Sequence, residues 1–135
     1  GPMLLEAIAD SNVDAISLPL MKDSSGLLLS DWAPLLPVLL DSSRNIAARA
    51  GCFHASLANA LLQQAQAIRE THGVSRIGLC GGVFQNRLLS GQAIGLLRAH
   101  GFTVYMADDI PVNDAGISYG QVMEYGFPKA DEKRE

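Results

Sequence analysis

Basic residues are outnumbered in this 135-residue chain: Lys and Arg total 10 against 14 Asp and Glu, a net charge of −4. That balance leaves no electrostatic footprint for a nucleic-acid backbone, so no nucleic-acid partner is expected. No apolar run reaches the roughly 20 residues of a membrane span, and nothing reads as a signal peptide, so no membrane partner is expected and the cytoplasm is the expected location. The two cysteines, Cys52 and Cys80, follow no metal-ligand spacing. Both sit among apolar neighbours, which points to buried free thiols rather than a disulfide. No two of the three histidines stand at i, i+4, so no complete metal site is encoded. The aromatic residues, 6% of the chain, are too scattered to make a stacking platform. A Walker A loop and a three-glycine dinucleotide fingerprint are both absent.

What is present is a globular composition, 48% hydrophobic and 18% charged, at a length suited to one domain with a real core. Gly1-Pro2-Met3 reads as a protease-cleavage scar and is set aside. Residues 4–10 read as the tail of a helix broken by Ser11-Asn12. An apolar run, residues 15–18, predicts a strand or extended arm ahead of Pro19. Residues 22–26 are turn chemistry, and residues 27–29 return as a strand paired to that run. Asp31 offers a helix cap before Trp32, with prolines allowing only short helical turns. Ser42 or Ser43 is the expected cap of a long helix, whose stripe is Ile46, Ala50, Phe53, Leu57, Leu61, Gln64 and Ile68. His72-Gly73 stops it. Alanines cover much of its remaining surface, so neighbours can approach closely.

From Val74 the pattern becomes β-α-β-α. Residues 76–80 form a strand. The next helix carries Leu89, Ala93, Leu96 and Leu97 on one face and stops near His100-Gly101. Residues 102–106 form a second strand, and a last helix runs from about Asp114 to Tyr125. Two strands joined through a helix should lie parallel. The fold class is α/β with a parallel βαβα segment over residues 4–127, followed by a charged tail, residues 128–135.

Two turns are chemical candidates. The first, Gly81-Gly82-Val83-Phe84-Gln85-Asn86, follows a strand and opens a helix. Paired glycines let a ligand approach the backbone, and amides of the turn and of the helix N-terminus can meet phosphate oxygens. An ordinary βα turn capped by Asn86 fits the pattern equally well. The second, Pro111-Val112-Asn113-Asp114-Ala115-Gly116, should lie on the same sheet edge. Asp114 could hold a hard metal ion; as the simpler alternative, Asn113 or Asp114 caps the last helix. Gly116 and Gly120 leave a bare strip on that helix. His54, beside the apolar stripe, reads as a hydrogen-bonded core residue before a ligand or base. No residue has the neighbours of an activated nucleophile.

Four segments in order, Asp31-Trp32-Ala33-Pro34-Leu35-Leu36, Phe53-His54-Ala55-Ser56-Leu57-Ala58, Gly81 through Leu89, and Pro111 through Gln121, resemble the C-terminal end of the HypF family of carbamoyltransferases. The resemblance runs from about Leu18 to Phe127. It implies the C-terminal lobe of a Kae1-like domain, of the actin/sugar-kinase/Hsp70-like fold. It also implies ATP, used through a carbamoyl-adenylate intermediate, and a divalent metal ion. The implied partners are upstream YrdC-like, zinc-finger and acylphosphatase-like domains of the same protein, and HypE, whose C-terminal cysteine accepts the carbamoyl group in [NiFe]-hydrogenase maturation. By position, Gly81, Gly82 and Val83 would line the nucleotide phosphates, Asn86 would lie near its sugar or base, and Asp114 would complete a metal site. A histidine pair outside this chain would supply its other ligands. Ala115 departs from the usual family form, which has glycine there. Alternatives within the same fold group are a threonylcarbamoyl-transferring tRNA-modification enzyme and an O-carbamoyltransferase. As an isolated piece the chain could instead be a non-catalytic interaction or dimerisation module.

Overall fold

The computed structural model describes residues 2–107 and 112–126. The elements run α1 (Pro2–Ile8), β1 (Leu20–Lys22), β2 (Leu28–Ser30), α2 (Leu35–Leu40), α3 (Ile46–His72), β3 (Arg76–Leu79), α4 (Arg87–Ala99), β4 (Thr103–Met106) and α5 (Ile117–Gly126). The expectation for Pro111 and for the tail from Phe127 onward lies outside the described residues.

The helix α3, about 40 Å long at 1.5 Å per residue, organises the rest. Its cap is Asn45, whose Oδ1 accepts from the Ala48 amide at 2.7 Å, and not Ser42 or Ser43. Ser43 is otherwise engaged, donating its hydroxyl and its amide to Asp41 Oδ1 in a turn that delays the helix start. At the far end Gly73 takes φ 69°, and its amide donates to the Arg69 carbonyl, the stop expected from His72-Gly73.

The buried residues of α3 are mostly small: Ala50, Gly51, Cys52, His54, Ser56, Ala58, Ala60 and Leu62. The expected stripe is only half sunk, with Ile46 and Ile68 exposed at its two ends. The difference arises because α3 is covered from more than one direction. The chain after α1 lies so close that a Cβ on Gly51 would fall 2.0 Å from the Asp10 carbonyl oxygen. The Ser56 hydroxyl accepts from the Ile16 amide at 2.9 Å and donates to the Cys52 carbonyl. On a further side Ala58 meets Leu89 and Ala93 of α4. Only small residues permit three close approaches to one helix.

Residues 15–18 form an extended arm, not a strand, and Leu18 is buried with Leu35 and Ala60. The strand β1 starts beyond Pro19, which has no N–H for a ladder; its carbonyl accepts from Asp31 instead. Thus β2 returns as expected, but its antiparallel partner is Leu20–Lys22.

In the second half Leu62, Leu79, Leu97, Phe102 and Val104 make the core under a parallel pair, β3 against β4, in register Arg76↔Thr103 to Leu79↔Met106. This is the expected β-α-β-α segment. The guanidinium of Arg69 lies 4.1 Å from the Phe102 ring centroid and donates to the His100 carbonyl, fastening the end of α3 to the end of α4. Both cysteines are free thiols, but Cys80 is exposed, because β3 ends one residue before it.

Candidate functional site

At the carboxyl end of β3 the chain turns through Gly81, at φ 106° and ψ 152°, a conformation that a side chain makes costly. A 3-10 turn follows, Gly82–Gln85, closed by Phe84 N–H to the Gly81 carbonyl and Asn86 N–H to the Val83 carbonyl. The second candidate turn comes from beyond β4 and touches the first. The Gly81 amide donates to the Val112 carbonyl, and a Cβ on Gly82 would stand 3.8 Å from Asn113 Cβ. The two turns therefore share one sheet edge, where open α/β sheets receive ligands. Asn113 is the local cap, its Oδ1 accepting from the Ala115 amide at 3.0 Å. Asp114, the exposed first residue of the 3-10 turn Asp114–Gly116, is left with its carboxylate at the surface. No group of three His, Cys, Asp or Glu that could hold a metal ion occurs among the described residues. A metal at Asp114 would need further ligands from elsewhere.

At the N-terminus of α4 the structure shows the Asn86 cap, one of the two readings of this turn. The first amides of the helix do not face an open phosphate site, because the protein fills them itself. Glu6 Oε1 accepts from the Arg87 amide at 2.6 Å and the Leu88 amide at 3.4 Å. Asn86 Oδ1 accepts from the Leu89 amide at 2.9 Å. A carboxylate at this end complements the helix dipole. In the turn just before the helix, Gly82 and Val83 are both exposed.

His54 is 3% exposed and hydrogen-bonded, as a core histidine should be, but its second bond leads to the site. Nδ1 lies 2.7 Å from the Ala50 carbonyl oxygen, and Nε2 lies 2.8 Å from Asn86 Nδ2. A carbonyl only accepts, so the proton sits on Nδ1, and Asn86 donates to the lone pair on Nε2. Phe53 stands edge-on to the ring, with centroids 5.5 Å apart.

Gly82, Val83 and Asn86 meet Glu6, Phe53 and His54 around a cavity of about 640 Å³. Gly81 and Asp114 are not among its described lining residues; Gly81 caps the start of the turn, and Asp114 sits on the adjoining loop. Glu6 went unrecognised in the sequence. It lies 81 positions from Arg87, and nothing in its local pattern separates it from any helix-surface glutamate.

The parallel β-α-β edge, the glycine turn and the adjoining Asp114 loop define an α/β subdomain with its candidate ligand edge at the strand carboxyl ends. The family described as Carbamoyltransferase, Kae1-like Domain, second subdomain, matches residues 1–121. The chain is 40% identical over 110 residues to carbamoyltransferase HypF2 of Cupriavidus necator, covering 80% of this chain and 13% of that protein. Against carbamoyltransferase HypF of a Synechocystis species the identity is 32% over 124 residues, 88% of this chain and 15% of the relative. A crystal structure of full-length HypF in a phosphate- and nucleotide-bound form superposes with TM-score 0.81 at 29% identity, over 88% of this chain and 16% of that one. The chain belongs to the HypF carbamoyltransferase family, as the second subdomain of its Kae1-like domain, and spans about a seventh of the length of these relatives.

Proposed function

We propose that this subdomain forms one wall of an ATP-dependent carbamoyl-transfer site, with residues 4–127 as the lobe and residues 128–135 as its tail. The observation that carries this reading is the hydrogen-bonded junction of two turns at one sheet edge. Gly82 and Val83, both exposed, line a cavity there, and Asp114 stands on the adjoining turn. Gly81 supports it by permitting the sharp turn, and Gly82 and Val83 offer amides to phosphate oxygens. Asn86, whose side chain is committed to the cap and to His54, contributes through its remaining amide N–H and through the shape of the wall. The residues fit a divalent ion only in part. Asp114 would be one ligand, and the ion, when bound, would offset charge on the phosphates.

In this reading carbamoyl-adenylate, formed by a YrdC-like domain, is held against the wall. A thiolate from the C-terminal cysteine of HypE attacks the carbamoyl carbon; a C–S bond forms, the C–O bond to phosphate breaks, and AMP leaves with the bonding pair. In the same reading, zinc-finger and acylphosphatase-like domains lie upstream in the longer protein, and the setting is the cytoplasm. No helix among the described residues is long and apolar enough to cross a membrane.

The test supplies the complete carbamoyltransferase chain with carbamoyl phosphate, ATP and HypE, and reads the HypE C-terminal cysteine by mass spectrometry. Carbamoylation of that thiol, lost in Asp114→Ala and Gly82→Val, is expected. Transfer to tRNA or to a hydroxyl acceptor, with an unmodified thiol, would sink the reading in favour of another member of the fold group.

A further inference from the structure

We propose that His54 is a positioning residue for the Gly82-Val83 wall, acting through Asn86; this rests on the nucleotide reading of that wall. Asn86 is the joint between the 3-10 turn and α4. Its amide N–H closes the turn onto Val83, its carbonyl accepts from the Ser90 amide and hydroxyl, and its Oδ1 caps α4 at Leu89. The orientation of the joint depends on which end of the side-chain amide faces Leu89. A reversed amide would set an N–H against the Leu89 N–H and leave both without an acceptor.

The Leu89 N–H selects this orientation from one side, and His54, from another helix 32 residues away, holds the opposite end of the same amide. The Ala50 carbonyl holds the proton on Nδ1, so Nε2 offers only a lone pair, and only the NH₂ end of Asn86 can face it. The chain of causes runs from a carbonyl of α3, through one buried ring, to one amide orientation, to the start of α4, and so to where Gly82 and Val83 place their amides. A histidine present only to fill the core would need the Ala50 bond and no reach to Asn86.

Two substitutions separate these roles. In His54→Gln the Oε1 falls near the former Nε2 and keeps an acceptor for Asn86, at the expense of the Ala50 bond. In His54→Asn the shorter amide keeps a donor for Ala50 and cannot reach Asn86. In the complete enzyme, His54→Asn should raise KM for ATP about tenfold with kcat changed less, the effect of one unpaired buried group, while His54→Gln stays within about threefold of wild type. Nitrogen-15 NMR of the unsubstituted 135-residue chain supplies a readout free of folding artefacts and of nucleotide. His54 should show the Nδ1–H tautomer, with a coupling across the hydrogen bond to the Asn86 side-chain amide. An Nε2–H tautomer, or equal KM effects in the two variants, overturns the proposal. A wild-type enzyme that binds no nucleotide while keeping the tautomer and the coupling overturns the nucleotide reading instead, so the two failures are distinguishable.

Discussion

Gly81 and Gly82 are adjacent, identical in sequence, and different in what they demand. A Cβ on Gly81 would meet nothing within 4 Å, yet φ 106° makes any side chain strained. Gly81→Ala should therefore lower unfolding stability by about 1–3 kcal/mol, measured by urea denaturation. Gly82 has no positive φ, and its added Cβ would be at an ordinary 3.8 Å from Asn113. Gly82→Ala should leave stability within about 0.5 kcal/mol of wild type and, in the proposed nucleotide reading, weaken nucleotide binding. A loss of stability equal to that of Gly81→Ala would show that the second glycine serves the fold. The third demanding glycine is Gly51, where Asp10 cannot retreat because its amide is bonded to the Ala47 carbonyl. Gly51→Ala should cost about 3 kcal/mol in the same assay. The glycine pair was legible in the sequence as a turn; which of the two is structural was not, since φ is set by the path of the chain. Glu6 was illegible for a related reason: its partners are backbone amides from a distant segment, and backbone leaves no mark in sequence pattern.

Elements with strong periodicity were legible, and so was the Asn86 cap that starts α4; the start of α3 was not. The helices α3 and α4 and the stops at Gly73 and Gly101 follow from apolar spacing and glycine. The cap of α3 was misplaced because Ser42, Ser43 and Asn45 are all good cap residues, and only the Asp41 turn excludes the serines. Asn45→Ala should destabilise the chain by about 1 kcal/mol, and Ser43→Ala by clearly less, in chemical denaturation. Residues 15–18 are the extended arm, one of the two readings of that run; the pairing was misassigned because Leu18 is buried by the arm while β2 pairs with Leu20–Lys22 beyond Pro19. The turn joining β1 to β2 carries a pH signature. The Ser25 hydroxyl, and then the Leu27 amide, bind the Asp23 carboxylate and hold it below the usual carboxylate range. Asp41 behaves alike through the Ser43 hydroxyl and amide. A group whose value is depressed by folding stabilises the fold when ionised. Both contributions are therefore complete at neutral pH and are lost as pH falls through the depressed values, below the ordinary aspartate range. Carbon-detected NMR titration should show both carboxyls titrating lower than in Asp23→Asn or Asp41→Asn chains unfolded in urea with the other aspartate intact; coincident titration would contradict the turn geometry.

Taken whole, the molecule has an inner half that is finished and a surface that is not. Leu97 and Ala93 are fully enclosed, and Leu97→Ala should cost about 2–5 kcal/mol. Along α5, by contrast, Ile117, Tyr119, Val122, Met123 and Tyr125 are all exposed, as are Trp32 and Leu40. Exposed apolar surface on this scale suits a lobe that meets another, and the match to a second subdomain agrees. In the proposed reading, that other lobe completes the nucleotide site beside Gly82 and Val83. Calorimetry of ATP with and without magnesium, on this 135-residue chain and on the complete Kae1-like domain, tests that directly. Binding no tighter than about 1 mM is expected of the chain alone, and tight, metal-dependent binding, lost in Asp114→Ala, is expected of the complete domain. Tight, magnesium-dependent binding by the 135 residues alone, or undiminished binding by the Asp114→Ala domain, would contradict the proposed reading.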